Sequence, residues 1–165
     1  LADGVSVDDD ILYAACWLHD LGVFIGHRPE DPAQLASWDN VAYAIAQTPL
    51  LLQQFGFPTE KIPAVQAAIR DHHPQARPTA IEAILLHDAD LLELLGAVGL
   101  LRTLGKVGRD TRYQTFADLL PVLEGYSRLE PQLLSEAARR LAVTRLAMLR
   151  QFLQQAREES QGLPL

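Results

Sequence analysis

Apolar residues recur at helical spacing along nearly the whole chain, and no alternating strand pattern competes with them. The first predicted helix begins near Ser6, which forms a capping-box pattern with Asp9, and ends at Gly22. The other predicted helices lie between proline, glycine and polar stop signals and run over residues 37–55, 59–72, 79–104, 113–125 and 131–159. The pattern therefore predicts an all-α protein of about six or more helices.

Two acidic motifs interrupt these apolar helices. His19 and Asp20 end the first helix, and Asp88 and Asp90 lie inside the predicted helix 79–104. Buried carboxylates are costly unless they are paired or ligated, and imidazole with carboxylate is a common ligand set for divalent cations. The motifs predict a metal-assisted hydrolase, with the alternative that Asp88 caps or braces neighbouring backbone.

Composition narrows the class of protein. A chain of 165 residues with 48% apolar content suits one compact domain with a real core. The formal charge of −7 disfavours binding to nucleic acid or to an anionic membrane. A small phosphorylated substrate remains compatible with that charge, because a bound cation reverses the local field. No apolar stretch is long enough to span a bilayer.

Cysteine usage points to a reducing compartment. Cys16 is the single cysteine, so no intramolecular disulfide can form, and no signal peptide is visible. The expected location is therefore the cytoplasm. Cys16 lies in an apolar run and is expected in the core, as are Trp17 and Trp38.

The order of the motifs resembles the HD-domain phosphohydrolase superfamily, all-helical metal enzymes with a His…His-Asp…Asp signature. His19-Asp20 corresponds to the central pair and Asp90 to the final ligand. The segment 88–102 (DADLLELLGAVGLLR) and the C-terminal helix around 136–158 are similar to a subgroup of small bacterial HD hydrolases. In that subgroup an Asp-Ala-Asp segment is followed, further along the same segment, by an arginine, which corresponds to Arg102 here.

The resemblance implies one HD domain over residues 1–165, with His19, Asp20 and Asp90 as ligands of a divalent cation (Mn, Mg, Co, Ni or Fe). One ion is expected, because the additional histidine of binuclear HD proteins has no counterpart here. Asp20 is expected both to bind the ion and to orient the attacking water.

Histidines and an arginine elsewhere are the candidates for contact with substrate. His72 is expected to contact the phosphate or to donate a proton, with helix C-terminal capping as the alternative. His73 and Arg102 are assigned to substrate binding. A structural role for His73 and a salt bridge for Arg102 are the alternatives.

Three departures qualify the resemblance. The family's first histidine normally lies about two dozen residues before the His-Asp pair, which places it before Leu1. Either a missing N-terminal helix supplies that ligand, or this member has lost it. Val23 replaces a lysine of some signalling members, and no Gly-Tyr-Pro follows His72-His73, which disfavours the cyclic-dinucleotide branch. Leu91 stands where the subgroup usually has an arginine directly after the Asp-Ala-Asp segment.

The predicted activity is metal-dependent hydrolysis of a phosphoester or phosphoanhydride bond in a nucleotide or related small phosphorylated metabolite. The alternative is a catalytically silent HD module that binds a ligand or a partner. A histidine one helix upstream would favour the enzyme. A helical nucleic-acid binder is disfavoured by the acidic balance, and the oligomeric state is left open.

Overall fold

A computed structural model describes residues 4–110, 112–161 and 163. Leu1, before which the family's first histidine is expected, lies outside these ranges. All regular structure in that part of the chain is helical. The α-helices are α1 (Asp9–Leu18), α2 (Pro32–Ala36), α3 (Asn40–Gln54), α4 (Ile62–Arg70), α5 (Ile81–Leu94), α6 (Gly96–Leu104), α7 (Phe116–Tyr126) and α8 (Glu136–Ser160). Short 3₁₀ helices span Leu21–Val23, Thr59–Lys61 and Glu130–Gln132. The prediction of an all-α fold is confirmed.

The helix α1 starts later than its sequence pattern suggested. Asp8, not Ser6, is the N-cap, and its carboxylate accepts hydrogen bonds from the backbone N–H groups of Asp10 and Ile11. The Asp8 backbone N–H in turn donates to Glu82 Oε1 at 2.9 Å. Lys61 donates to both Asp8 and Asp10, which raises the pKa of the lysine and lowers that of Asp8. The beginning of α1 is therefore held by groups distant in sequence.

The helix α3 continues through Pro49. A proline has no N–H, so the carbonyl of Ile45, four residues earlier, loses its helical donor. Gln66, on α4, donates its Nε2–H to that carbonyl at 2.9 Å. A side chain of one helix thus replaces the hydrogen bond that the proline removes from the other.

The predicted helix 79–104 is two helices, α5 and α6. Gly96 breaks it with a φ of +79°, a conformation that favours glycine. Arg145 donates to the Leu92 carbonyl at 2.7 Å, near the end of α5. Its Cγ would lie 3.1 Å from a Cβ at position 96. The break therefore depends on a glycine and on an arginine from α8.

The sequence pattern did not predict the short helix α2. Its N-cap, Asp31, accepts a hydrogen bond from the Gln34 backbone N–H.

The described residues form two compact units, one ending at His87 and the other beginning at Asp88. The N-terminal unit has its own core, built by α1, α3, α4 and the start of α5; its fully buried members include Ala15, Ala44, Val65 and Ile69. The C-terminal unit has a separate core, whose most buried members include Leu91, Ala138, Ala142 and Leu149. The single HD domain over residues 1–165 stays a prediction.

Two residues expected in the core are exposed. Trp17 is 69% exposed, and Cys16 is also exposed. The buried face of α1 is formed by Ala14 and Ala15, and successive helical residues turn by about 100°. Trp17 and Cys16 therefore lie outside that face, while Trp38 is half-buried. None of the helices that the structure describes is long and apolar enough to cross a membrane.

Candidate functional site

His19 and Asp20 lie just beyond the end of α1, not in its last turn. His19 is the C-cap, and its backbone N–H donates to the Ala15 carbonyl at 2.9 Å. Asp20 has left helical geometry and begins the turn into the 3₁₀ helix Leu21–Val23. The His19 side chain is 18% exposed and that of Asp20 46%, with 3.6 Å between Nε2 and Oδ2. The two polar groups thus adjoin each other at a helix end that reaches solvent.

The hydrogen bond of His19 defines which ring nitrogen can coordinate a cation. Nδ1 lies 2.9 Å from the Cys16 carbonyl oxygen. A carbonyl only accepts hydrogen bonds, so Nδ1 carries the proton and Nε2 carries the lone pair in the neutral ring. Metal-binding histidines in proteins are usually oriented in this way. The Nε2 nitrogen is also the one nearest to the Asp20 carboxylate.

Two further histidines lie beside this pair, after the end of α4. The His72 ring meets the His19 ring edge-on, with 5.3 Å between centroids, and is only 6% exposed. Its Nδ1 lies against the Ile69 carbonyl, so its proton is also on Nδ1. His73 is exposed and stacks on His72 at 5.2 Å. His19, Asp20, His72 and His73 are therefore neighbours, and their chemical roles stay predictions.

Gly22 fixes the turn after Asp20 against the start of α3. A Cβ at position 22 would lie 2.5 Å from the Asn40 carbonyl oxygen and 2.7 Å from its Cα. The Gly22 carbonyl accepts a hydrogen bond from Trp38 Nε1 at 2.8 Å. Gly22 was predicted only to end the first helix. Its close approach to Asn40 is a tertiary feature that the sequence did not reveal.

Gly22→Ala is expected to destabilise the protein by about 1–3 kcal/mol, because the added methyl group overlaps backbone that cannot rotate away. Thermal unfolding followed by circular dichroism should show a midpoint roughly 2–10 °C lower. Gly125→Ala, inside α7 with nothing within 4 Å of its Cβ position, is the matched control and should be neutral or stabilising. Equal midpoints for both variants would contradict the assigned role of Gly22.

Asp88 braces backbone in the C-terminal unit. It is fully buried, and its two carboxylate oxygens accept from the backbone N–H groups of Leu134 at 2.8 Å and Ser135 at 2.7 Å. Ser135 is the N-cap of α8, where a negative charge is favoured by the helix dipole. The geometry therefore matches the interpretation of Asp88 as a brace.

Asp90 lies two residues further along α5 and is half-buried. Its charge is felt by Tyr126 on α7, in the same unit. Burial raises the pKa of the Tyr126 hydroxyl, and the charge of Asp90 acts in the same direction. Thr103 forms a hydrogen bond to that hydroxyl, which opposes the shift. Asp90 thus acts electrostatically on a tyrosine of its own unit that sequence reasoning did not identify.

Arg102 forms an ion pair with Glu93 in the same unit, and both side chains are largely exposed. Together with Arg145 they line a cavity of about 310 Å³ beside the start of α6. The ion pair agrees with the structural alternative for Arg102. Its assignment to substrate binding stays a prediction.

The donor chemistry of His19 and Asp20 fits a divalent cation, because a neutral Nε2 and a carboxylate oxygen point to the same helix end. The pair supplies two donors. No group of three or more His, Cys, Asp or Glu side chains among the described residues is arranged to hold a metal ion. Asp90 belongs to the other unit, and its grouping with His19 and Asp20 stays a prediction.

Comparison with known proteins agrees with the motif order. A family model described as the HD domain matches residues 1–95, more than half of the chain. The chain belongs to the HD-domain family. No curated protein matches it. The resemblance noted from His19-Asp20 and Asp90 is thereby confirmed at the level of the family.

Solved structures with the same fold include YpgQ from Bacillus subtilis. The chain is 22% identical to YpgQ, with a TM-score of 0.57 and coverage of 92% of this chain and 88% of that one. A second structure, of YpgQ in complex with ADP, matches with 19% identity, a TM-score of 0.55 and the same coverage. Likeness at this level of identity shows a shared fold.

Proposed function

We propose that this HD-family protein is a metal-dependent phosphohydrolase that cleaves a phosphoester or phosphoanhydride bond in a nucleotide or a related small phosphorylated metabolite. The observation that carries the proposal is the arrangement at the end of α1. There the Nε2 nitrogen of His19 lies 3.6 Å from the Asp20 carboxylate, and the buried ring of His72 lies against His19.

In the proposed site His19, Asp20 and Asp90 hold one divalent cation (Mn, Mg, Co, Ni or Fe). Such an ion supplies an activated water and polarises a phosphoryl oxygen. Asp20 is more exposed than His19, which suits a carboxylate that also orients the attacking water. The remaining members of the proposed site act on the substrate.

His72 is proposed to move the proton. Its Nδ1–H donates a hydrogen bond to the Ile69 carbonyl, so proton transfer to or from substrate takes place at Nε2. His73, exposed and stacked on His72, is proposed to contact the phosphate, and Arg102 to neutralise substrate charge. A small phosphorylated ligand is supported by the related fold of YpgQ, which has been solved with ADP. We also propose a reducing, cytoplasmic location, because the chain has a single cysteine.

A second candidate function is a catalytically silent HD module that binds a ligand or a partner through the same fold. The absence of a three-residue cluster able to hold a metal, as far as the described residues extend, favours this alternative. The two candidates differ in whether the purified protein carries metal and releases phosphate.

Purified full-length protein is expected to contain a divalent metal by elemental analysis and to release phosphate from at least one nucleotide when assayed with Mn, Mg, Co or Ni. Removal of the metal with a chelator should abolish release, and reloading should restore it, because the ion activates the water. Protein without metal and without release under every cation would contradict the proposal and favour the silent module.

A further inference from the structure

The segment that follows His19-Asp20 exposes an unusual amount of apolar surface. Phe24 is 58% exposed and Ile25 is 81% exposed. The segment is nevertheless closed by backbone hydrogen bonds, since the N–H groups of His27 and Arg28 both donate to the Phe24 carbonyl, at 3.0 and 3.1 Å. Gly26, with a φ of +91°, permits this turn. The exposed apolar groups are therefore held in a defined turn that begins four residues after Asp20.

His27, in this turn, packs with two further aromatic rings, and we refer to His27, Trp38 and Tyr43 as the ring cluster. The Tyr43 ring lies 5.1 Å from that of Trp38 and 5.9 Å from that of His27. His27 Nδ1 and the Tyr43 hydroxyl are 3.0 Å apart, within hydrogen-bond distance. His27 is exposed, while Trp38 and Tyr43 are half-buried. The cluster thus combines ordered rings with accessible aromatic surface.

A hydrogen bond joins the ring cluster to the turn that contains Asp20. Trp38 Nε1 donates to the carbonyl of Gly22, and Gly22 is only two residues beyond Asp20. Two residues span at most roughly 7 Å of chain. A nucleotide is long enough to place its phosphates at His19-Asp20 and its base at the rings.

The chemistry of the cluster favours a neutral planar group over a phosphate. The charged side chains of residues 24–43 are one arginine, Arg28, and three carboxylates, Glu30, Asp31 and Asp39, so the net charge of the segment is negative and disfavours an anion. A nucleobase is uncharged, planar and mostly apolar on its faces. Aromatic side chains, including histidine, bind such bases by stacking.

We propose that the ring cluster is the site where the base of a nucleotide substrate stacks. This inference rests on the proposed phosphohydrolase function and narrows its substrate class from small phosphorylated metabolites to nucleotides. The base supplies the stacking surface, and the phosphates extend toward His19 and Asp20.

The fluorescence of Trp38 gives a direct test. Trp17→Phe removes the other tryptophan, which lies on α1 outside the ring cluster, so that emission reports Trp38 alone. Titration with ADP in the presence of Mg²⁺ should change that emission with saturation, because the base covers the rings. Ribose 5-phosphate and inorganic pyrophosphate, which lack a base, should leave it unchanged. An equal response to all three probes would overturn the inference.

Substitution of one ring gives an independent measurement. Tyr43→Leu should weaken ADP binding by roughly 5- to 100-fold, the usual effect of losing one base-stacking ring, and leave pyrophosphate binding unchanged. Tyr43→Phe, which keeps the ring, should bind ADP almost as wild type does. Phe55→Leu, which removes a ring that is 84% exposed outside the cluster, is the matched control. If Tyr43→Leu fails to fold, His27→Ala tests the same claim at an exposed position, where a selective loss of ADP binding is again expected.

The outcomes separate this inference from the function on which it rests. Phosphate release from nucleotides and ribose 5-phosphate at equal efficiency, with no Trp38 response, would overturn the base site and leave the phosphohydrolase intact. A saturable Trp38 response to ADP with no phosphate release under any cation would support the base site and overturn the proposed hydrolysis.

Discussion

Asp90→Asn is expected to reduce phosphate release by at least about 100-fold, because removal of even an outer partner of a metal ligand typically costs 10–100-fold. The amide has the shape of the carboxylate and lacks its negative charge, so the proposed metal site loses a charged ligand without a change in side-chain volume. Asp90 is half-buried and is not part of the apolar core of its unit, and the fold should therefore be retained. Phosphate release by wild type and variant, at saturating metal and substrate, measures the effect.

The matched control is Asp9→Asn, the same substitution at an exposed carboxylate in the first turn of α1. It should leave the rate unchanged. Circular dichroism spectra of the Asp90 variant should keep the helical signal of wild type. If Asp90→Asn retains wild-type turnover, the assignment of Asp90 as a metal ligand is wrong.

Asp88→Ala is expected to have the largest effect on stability, a loss of about 3–5 kcal/mol in the free energy of unfolding. Each hydrogen bond to a charged acceptor contributes about 1.5–3 kcal/mol, and the backbone N–H groups of Leu134 and Ser135 would both lose theirs. The loss of the charge beside the N-terminus of α8 acts in the same direction. Urea unfolding of wild type and variant measures the difference.

Asp88→Asn should be intermediate, because the amide keeps one acceptor oxygen and presents an N–H₂ group to the other donor. Glu136→Gln, at an exposed position in the first turn of α8, should change stability by less than about 0.5 kcal/mol. A stable Asp88→Ala variant that has lost its metal would instead identify Asp88 as a ligand, and the brace would be rejected.

The helical class was predictable because the apolar spacing repeats through most of the chain. The boundaries were less so, since tertiary contacts decide them. The break between α5 and α6 at Gly96 depends on Arg145, 49 positions further along the sequence. Likewise, α3 tolerates Pro49 because Gln66 replaces a lost hydrogen bond. Neither partnership leaves a local signal in the sequence.

The candidate site was predictable in its residue types and less so in its surroundings. His19 and Asp20 stood out because adjacent polar groups at an apolar helix end need a chemical reason. The contact of Gly22 with Asn40 and the hydrogen bond from Trp38 depend on packing between distant segments. The expectation that Trp17 lies in the core was wrong, because α1 packs on the core through Ala14 and Ala15 with Ile11, Leu12 and Leu18, and position 17 lies outside that face.

The central claim is that His19, Asp20 and Asp90 bind one cation, and titration of metal-free protein with Mn²⁺ followed by electron paramagnetic resonance tests it most directly. Wild type should bind a single ion, and His19→Ala, Asp20→Asn and Asp90→Asn should each weaken that binding by at least about 10-fold, while Asp9→Asn binds as wild type does. Unchanged Mn²⁺ affinity in the Asp90 variant together with a loss in the other two, or no binding by wild type, would contradict the account.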